Sequence, residues 1–503
     1  MIMYNKILKT TIVAFAALTL AQSCSKKEVV ELTPEFLLDG TTNPSSVKQF
    51  EEVLTGAYAS LRAANYYGSG SGTGAGWSLM PDAMSDNLYE FRAQTLANSR
   101  AMADWLYNSA TGQVNGFYVA PYVTIGYANT IIEGIDKYAT AANQKQVNRI
   151  KGQAIALRAL AHFDLFRYFA SRYDRSSTTE LALAYTKTFP VLNSSDIPTP
   201  ARLSNKDYYD NLFADINQAV TLLSPANIDR SINTTNGLTR PFLDLNGVYA
   251  LQARVNLYAG NWADAATAAT NALSGRPLAT TQADFSGMYN QTARGEIIWN
   301  VQFDEGQSGP TFLVFFATNN RNYFRPAPEI VVTGGTSGLI RSNDLRYSAF
   351  FTILGGQPAL TKYRGKGTVT NGNANFPAFR SGEMFLIRAE ANARLGGANE
   401  VAALADLNAL RAARISGYVP EVLTGTALLN AIADERRREL VGEGHRFFDL
   451  KRTTRVIQRG SICGTTPSAS GSCTLAATAR EWALPIPQNV LAANPSLVQN
   501  SGY

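Results

Sequence analysis

Histidine and cysteine are almost missing from this chain of 503 residues. There are two of the first, His162 and His445, and three of the second, Cys24, Cys463 and Cys473. A His- or Cys-rich zinc site needs about four such ligands at close spacing, so five His and Cys residues scattered over the whole length exclude a His- or Cys-rich metal cluster. No block of lysine and arginine interleaved with aromatics occurs, and the formal net charge is only +6, which argues against a nucleic-acid groove. After the first two dozen residues no apolar run approaches the roughly 20 residues that span a bilayer. Nucleophile elbows, glycine-rich phosphate loops and metal-ligand spacings are also missing, so no cofactor is expected. What is present fits a folded chain: 45% hydrophobic and 17% charged residues, with 39 glycines and 23 tyrosines that suggest polar, aromatic loops on a core. At about 150 residues per domain, the length allows three domains or one large one.

The start of the chain predicts a compartment. Lys6 and Lys9 precede an apolar run from Ile12 to Leu20 that is too short to span a membrane and reads as a signal peptide over residues 1–23. Leu20-Ala21-Gln22-Ser23 places small residues three and one before Cys24, an order that resembles a bacterial lipobox, although the leucine usually stands one place nearer the cysteine. Cys24 is therefore the expected lipidation site, and several acyl chains on it would give lasting anchorage where a single chain is marginal. Losing residues 1–23 removes two lysines and no acid, which takes the net charge from +6 to +4. Residues 24–42 read as a short charged tether. In an oxidising compartment Cys463 and Cys473, which close the loop CGTTPSASGSC, are a plausible disulfide, with two free thiols as the alternative.

From residue 43 the pattern is helical. Asn43-Pro44-Ser45-Ser46 resembles an N-cap, and Val47, Phe50, Val53, Leu54, Ala57, Tyr58 and Leu61 recur at helical spacing. Further helices fit 113–140, 146–171, 205–223, 240–259 and 261–274. Tyr66 to Gly76 (YYGSGSGTGAG) reads as a mobile loop that delivers Trp77. In 246–277, Ala253, Gly260, Trp262, Ala265, Ala272 and Pro277 stand at tetratricopeptide spacing: small residues let two antiparallel helices touch, and glycine turns the corner. Gly397, Ala402 and Ala409 repeat the pattern more weakly, so the repeats are not in tandem. Between them, 280–380 reads as an irregular insertion, with strand character at Glu296 to Phe303 and Thr311 to Phe316.

Three stretches together resemble the SusD/RagB family of outer-membrane nutrient-uptake lipoproteins. They are the lipobox-like start with its charged tether; Glu435-Arg436-Arg437-Arg438-Glu439-Leu440 with Glu443-Gly444-His445-Arg446-Phe447-Phe448-Asp449-Leu450-Lys451-Arg452; and Leu484-Pro485-Ile486-Pro487 with the ending Asn494 to Tyr503, where Ser501 replaces the commoner proline. The resemblance implies a mainly α fold over 43–503, a single domain in which tetratricopeptide-like helical hairpins form a scaffold bearing inserted loops and short β-strands. It also implies a lipid-anchored protein of the cell surface and outer membrane, partnered by a SusC-like TonB-dependent barrel, that captures an oligosaccharide without covalent chemistry.

The run 435–452 invites a catalytic reading, but Glu435 faces Arg438 and Glu439 three and four residues on, so scaffold ion pairing is the simpler expectation. His445 and His162 are read as hydrogen-bonded structural residues. A glycosidase needs two acids roughly 5 to 9 Å apart; Asp82, Asp86, Glu90 and Asp104 are the candidates, and a helical-fold glycoside hydrolase stays open as the alternative. Sugar binding calls for ring faces with amides and guanidinium groups. That mixture occurs at Tyr66, Tyr67, Trp77, Asn87, Tyr89 and Arg92, and again around Asn320, Arg321 and Tyr323 within 319–325. Trp262, Trp299 and Trp482 read as packing residues. The same composition would suit a peptide or another non-glycan nutrient.

Overall fold

The computed structural model describes residues 44–69, 76–91, 97–188, 198–233, 238–304, 307, 309, 322–460, 462–465 and 471–503. The signal peptide, the tether and Cys24 lie outside the described residues, as does the strand expected at Thr311 to Phe316. The chain divides into two units, residues 1–44 with 190–197, and Ser45–Phe189 with Pro198–Tyr503. The second unit is mainly helical.

Its first helix, α1 (Val47–Ser60), is capped by Ser46, whose hydroxyl accepts from the Gln49 N–H, and buries Phe50, Val53, Leu54 and Ala57. After the short helices α2 (Met80–Ala83) and α3 (Ala97–Ala103), α4 (Gly112–Gly134) and α5 (Gln144–Phe169) pack together, with α6 (Asn205–Leu222) also against α5. From Gly152 onward every residue of α5 is buried, including Arg158, His162, Asp164 and Arg167. Such burial is tolerable because each of these four side chains has a polar partner. Arg158 is bidentate on Asp215 of α6 at 2.7 and 2.8 Å and donates to Asn129 of α4 at 2.9 Å, so one guanidinium ties three helices. His162 lies between the Tyr208 hydroxyl and the Thr186 carbonyl, and burial holds its pKa down at about 3.

The hairpin expected from the tetratricopeptide spacing is α7 (Leu245–Ala259) with α8 (Trp262–Ala272), and Gly260 turns the corner at φ +74°, a conformation that favours glycine. Its weaker copy is α11 (Ser381–Leu395) with α12 (Asn399–Arg414). With α13 (Gly425–Glu439) this second hairpin encloses a small core of its own around Leu386, Leu407, Leu410 and Ile432. The described part of the 280–380 insertion holds more regular structure than the sequence suggests. It opens with the helix Gln282–Asn290 (α9), contains a second helix at Leu345–Phe350 (α10), and carries five of the eight short strands found among the described residues. Among the described residues these strands pair as antiparallel two-stranded ribbons: β1 (Leu88–Glu90) with β3 (Phe324–Pro326), β2 (Ile297–Val301) with β6 (Phe376–Arg380), β4 (Phe351–Leu354) with β5 (Gln357–Leu360), and β7 (Ile457–Gln458) with β8 (Thr474–Leu475). Cys463 and Cys473 are joined as a disulfide, Cα–Cα 5.7 Å. No helix among the described residues is long and apolar enough to cross a membrane.

Candidate ligand site

The glycine-rich segment does not present its rings. Tyr66, Tyr67 and Trp77, read from the sequence as ligand-contacting, are buried, and what surrounds them gives them a packing role instead. Both tyrosine hydroxyls donate to Asp164 Oδ2 at 2.8 Å, Tyr168 donates to the Trp77 carbonyl at 3.0 Å, and the Arg167 guanidinium stacks over Trp77 at 4.7 Å and Phe448 at 4.9 Å. A buried carboxylate and a buried cation thus satisfy one another at 2.5 Å inside an aromatic box. Burial, then the neighbouring Asp164 charge, push both phenols well above their usual pKa. Asn87 is likewise interior: its amide donates to Asp82 at 2.7 Å and its carbonyl accepts from Arg437 at 2.9 Å.

Tyr89 and Tyr323 have a different fate. The ribbon β1–β3 pairs Tyr89 with Arg325 and Glu90 with Phe324, and the Phe91 N–H donates to the Tyr323 carbonyl at 2.8 Å. The two segments singled out in the sequence therefore meet, although both tyrosine rings are largely covered. Arg92, Asn320 and Arg321 lie outside the described residues. At the meeting point the Arg325 guanidinium lies 4.4 Å from the centroid of the half-buried Phe91. Its Nη1 donates to the carbonyls of Leu354, Gln357 and Pro358 at 3.0 to 3.3 Å, while its Nε is buried without a partner. No carboxylate lies within ion-pair distance of Arg325 among the described residues, and burial lowers its pKa. The Tyr89 hydroxyl donates to Gln357 Oε1 at 3.2 Å. Phe91, Arg325 and Gln357 thus bring a ring, a guanidinium and an amide together at one place, the ribbon platform. Phe91 and Gln357 were missed in the sequence reading. The usable signal was Gly355-Gly356 between Phe351–Leu354 and Gln357–Leu360, a two-residue hairpin turn that puts Gln357 opposite Leu354.

The candidate acids are all engaged internally. Asp82 accepts from Asn87 and from the Gly442 and Gly444 N–H groups, and burial still raises its pKa. Asp86 is bidentate on Arg446; burial opposes ionisation, but Arg446 and Arg437 outweigh it and its pKa is lowered. Glu90 pairs with Arg100 and Asp104 with Arg459. The run 435–452 is a lattice of buried ion pairs: Arg346 meets Asp344, Glu435 and Glu439; Arg380 meets Glu296, Glu439 and Glu443; Arg414 meets Glu296 and Glu439. Among the described residues, no group of three or more His, Cys, Asp or Glu is placed to hold a metal ion.

A model of the SusD family matches residues 347–503, and a second, described as starch-binding associating with outer membrane, matches 39–257. The chain belongs to the SusD family. SusD-like protein P38 of Formosa agariphila is 25% identical over 439 residues, which cover 75% of this chain and 81% of that protein. Two solved structures share the fold. A SusD superfamily protein from Bacteroides thetaiotaomicron aligns with TM-score 0.76 at 22% identity, covering 91% of this SusD-family chain and all of the other. Surface glycan-binding protein A from Bacteroides fluxus aligns with TM-score 0.69 at 19% identity over 92% of this chain and all of its own.

Proposed function

We propose that this SusD-family protein is a lipid-anchored glycan-binding protein of the outer-membrane surface, which captures an oligosaccharide and passes it unchanged to a SusC-like TonB-dependent barrel. The observation that carries the binding site is the platform at the end of the β1–β3 ribbon, where Phe91, Arg325 and Gln357 bring together a ring face, a guanidinium and an amide. Ring faces pack against sugar C–H groups while planar donors satisfy hydroxyls in pairs. The internal engagement of Asp82, Asp86, Glu90 and Asp104 favours capture over hydrolysis.

Calorimetric titration of the purified protein with a panel of neutral oligosaccharides and short peptides tests the reading. Saturable binding of an oligosaccharide, with its length unchanged after incubation, is expected. Steady release of reducing ends would establish the hydrolase instead, and binding of peptides alone would remove the glycan assignment. Anchorage is tested separately: Cys24→Ala should leave the membrane fraction or retain its leader. Gentle detergent extraction should recover a large barrel protein in comparable amount, and a solitary protein would count against the hand-over.

A further inference from the structure

The loop after α5, the turn between α7 and α8 and the end of α14 (Arg446–Arg452) line an open cleft of about 650 Å³ to which the ribbon platform contributes no residue. That volume falls in the range of roughly 300 to 1,000 Å³ typical of small-molecule sites. Its wall carries five cations, Arg172, Arg175, Arg394, Lys451 and Arg452, against one acid, Asp174.

Three of the cations are spent. Arg452 is bidentate on Glu390 at 2.6 and 2.7 Å and reaches Asp449 at 2.9 Å. The Lys451 ammonium donates to the Arg167 and Ala170 carbonyls, and Arg175 pairs with Asp210 at 2.9 Å. Arg172 and Arg394 differ. Their side chains are 69% and 39% exposed, and their carboxylate contacts are long, 3.7 Å to Glu180 and 3.8 Å to Glu390. Those distances exceed hydrogen-bond length, and Glu390 already serves Arg452, so both guanidinium forks reach the cleft with donors left to give. The lone acid is turned to its own loop, where it accepts from the Ser176 N–H and hydroxyl at 2.9 and 2.7 Å.

The cleft also offers a ring. Trp262 stands at the tetratricopeptide position that the sequence assigns to packing, yet it is half-buried and lines this wall, with the Arg394 guanidinium 5.5 Å from its centroid. The left-handed Gly260 allows the tight turn that sets it there.

We propose that this cleft is a second ligand site and that it takes an acidic oligosaccharide, its sugar face on Trp262 and its carboxylate or sulfate held by Arg172 and Arg394. The saccharide half of this assignment rests on the function proposed above; the anionic half rests on the cleft alone. A guanidinium fork matches the geometry of either anion, and a volume of about 650 Å³ is of the size that takes a short saccharide.

The test titrates the full-length protein with three probes of equal length: a galacturonate trimer, a sulfated galactose trimer and a neutral galactose trimer. Tighter binding of an acidic probe, by about tenfold, weakening as salt rises, is expected, and the carboxylate and sulfate arms identify the anion. Arg172→Gln with Arg394→Gln should abolish that preference without changing the melting temperature. Trp262→Ala should weaken all binding at the cleft, and Trp262→Phe should restore much of it if packing is disturbed. Phe91→Ala should leave the acidic preference intact. Equal binding of acidic and neutral probes, or a preference that survives the double variant, would overturn the proposal while leaving the ribbon platform standing. If no saccharide binds but an acidic peptide does, and the double variant abolishes that, the oligosaccharide assignment fails along with the glycan reading.

Discussion

Two interiors hold this protein together with opposite materials. In the aromatic box around Trp77, one ion pair, Arg167 with Asp164, is wrapped in rings that supply stacking faces and two phenol donors. In the lattice around α13, the four arginines 346, 380, 414 and 436 are buried among at least as many carboxylates, with Glu439 alone meeting three guanidinium groups. Removing a ring leaves a hole, whereas removing a carboxylate leaves charges with nothing to face. The second should cost more, because an uncompensated buried charge cannot relax into place.

The largest effect is therefore expected from Glu439→Ala. Breaking one partner of a buried pair typically costs about 3 to 5 kcal/mol, and with three cations exposed to the loss the upper end applies. Denaturant titration should show a stability drop of about 5 kcal/mol or no folded protein at all; a loss below about 1 kcal/mol would mean the lattice is dispensable. Next comes Trp77→Ala, for which large-to-small replacement of a core tryptophan predicts about 3 to 4 kcal/mol. A fall in the melting temperature with glycan affinity retained in the folded fraction would show the box to be structural, and the reverse pattern would restore Trp77 to the ligand site.

The two interiors should also fail at opposite ends of the pH scale. In the lattice, burial opposes ionisation of Glu435, but Arg346, Arg438 and Arg411 outweigh it and hold its pKa at about 2 against an ordinary 4.5. A depressed carboxylate stabilises the fold fully above its unfolded pKa, and this stability is lost as pH falls through the folded one. At about 1.4 kcal/mol per pKa unit, Glu435 alone contributes on the order of 3 kcal/mol, lost between pH 4.5 and 2. His162, held neutral in the interior, begins the decline earlier, since below pH 6.5 only the unfolded chain takes its proton. In the box the sign reverses. Tyr66 and Tyr67 have raised pKa values, so their contribution is present below pH 10 and lost as pH rises beyond it. Melting curves across pH, compared with Tyr66→Phe and Glu435→Gln, should separate an alkaline limb from an acid one. A single limb shared by both variants would erase the distinction.

What could be read from the sequence follows the same division. Ion pairing at 435–452 was legible because Glu435 and Arg438 are three residues apart on one helix, a local fact. The Ser46 cap and the Gly260 corner are local too. The fate of Tyr66 and Tyr67 was hidden because their acceptor, Asp164, stands almost a hundred residues away on another helix, and a glycine-rich neighbourhood says nothing of it. Trp262 was legible in part: the repeat spacing assigns the position to packing, and the ring does pack against the core, but whether its outer face is covered depends on loops from two other parts of the chain. The platform was half legible. Both segments were singled out, but Phe91 and Gln357 enter only through the ribbon and the hairpin that carries Gln357.

A third device, covalent this time, should matter less than either interior. The disulfide Cys463–Cys473 closes a short loop and stands next to Ser472, whose carbonyl accepts from Arg459, and the Arg459 guanidinium also pairs with Asp104 at 2.7 Å and stacks over Trp105 at 4.3 Å. A loop of this length removes about 2 to 3 kcal/mol of chain entropy from the unfolded state. Cys463→Ser with Cys473→Ser should lower stability by that amount and leave the lattice and box signatures unchanged; loss of the acid or alkaline limb would show that the loop supports more than itself.

The smallest effect on stability, and the one that bears most directly on function, is expected at Phe91. Its ring is half-buried and faces Arg325 at 4.4 Å, so truncation opens no interior hole and the Arg325 Nη1 keeps its three carbonyl acceptors. Stability should change by less than about 1 kcal/mol, in contrast to Trp77→Ala. Ligand affinity should respond more strongly, because a stacking ring contributes about 0.5 to 1.5 kcal/mol beyond its buried area, and with that area the loss approaches tenfold. Gln357→Ala offers a control of the same kind, removing the amide while the backbone carbonyl that holds Arg325 stays. If Phe91→Ala melts like the parent and binds a neutral oligosaccharide about tenfold more weakly, the ribbon is the binding site. If it melts like the parent and binds like the parent, the rings of this protein are there to hold it together, and capture falls to the amides and cations elsewhere.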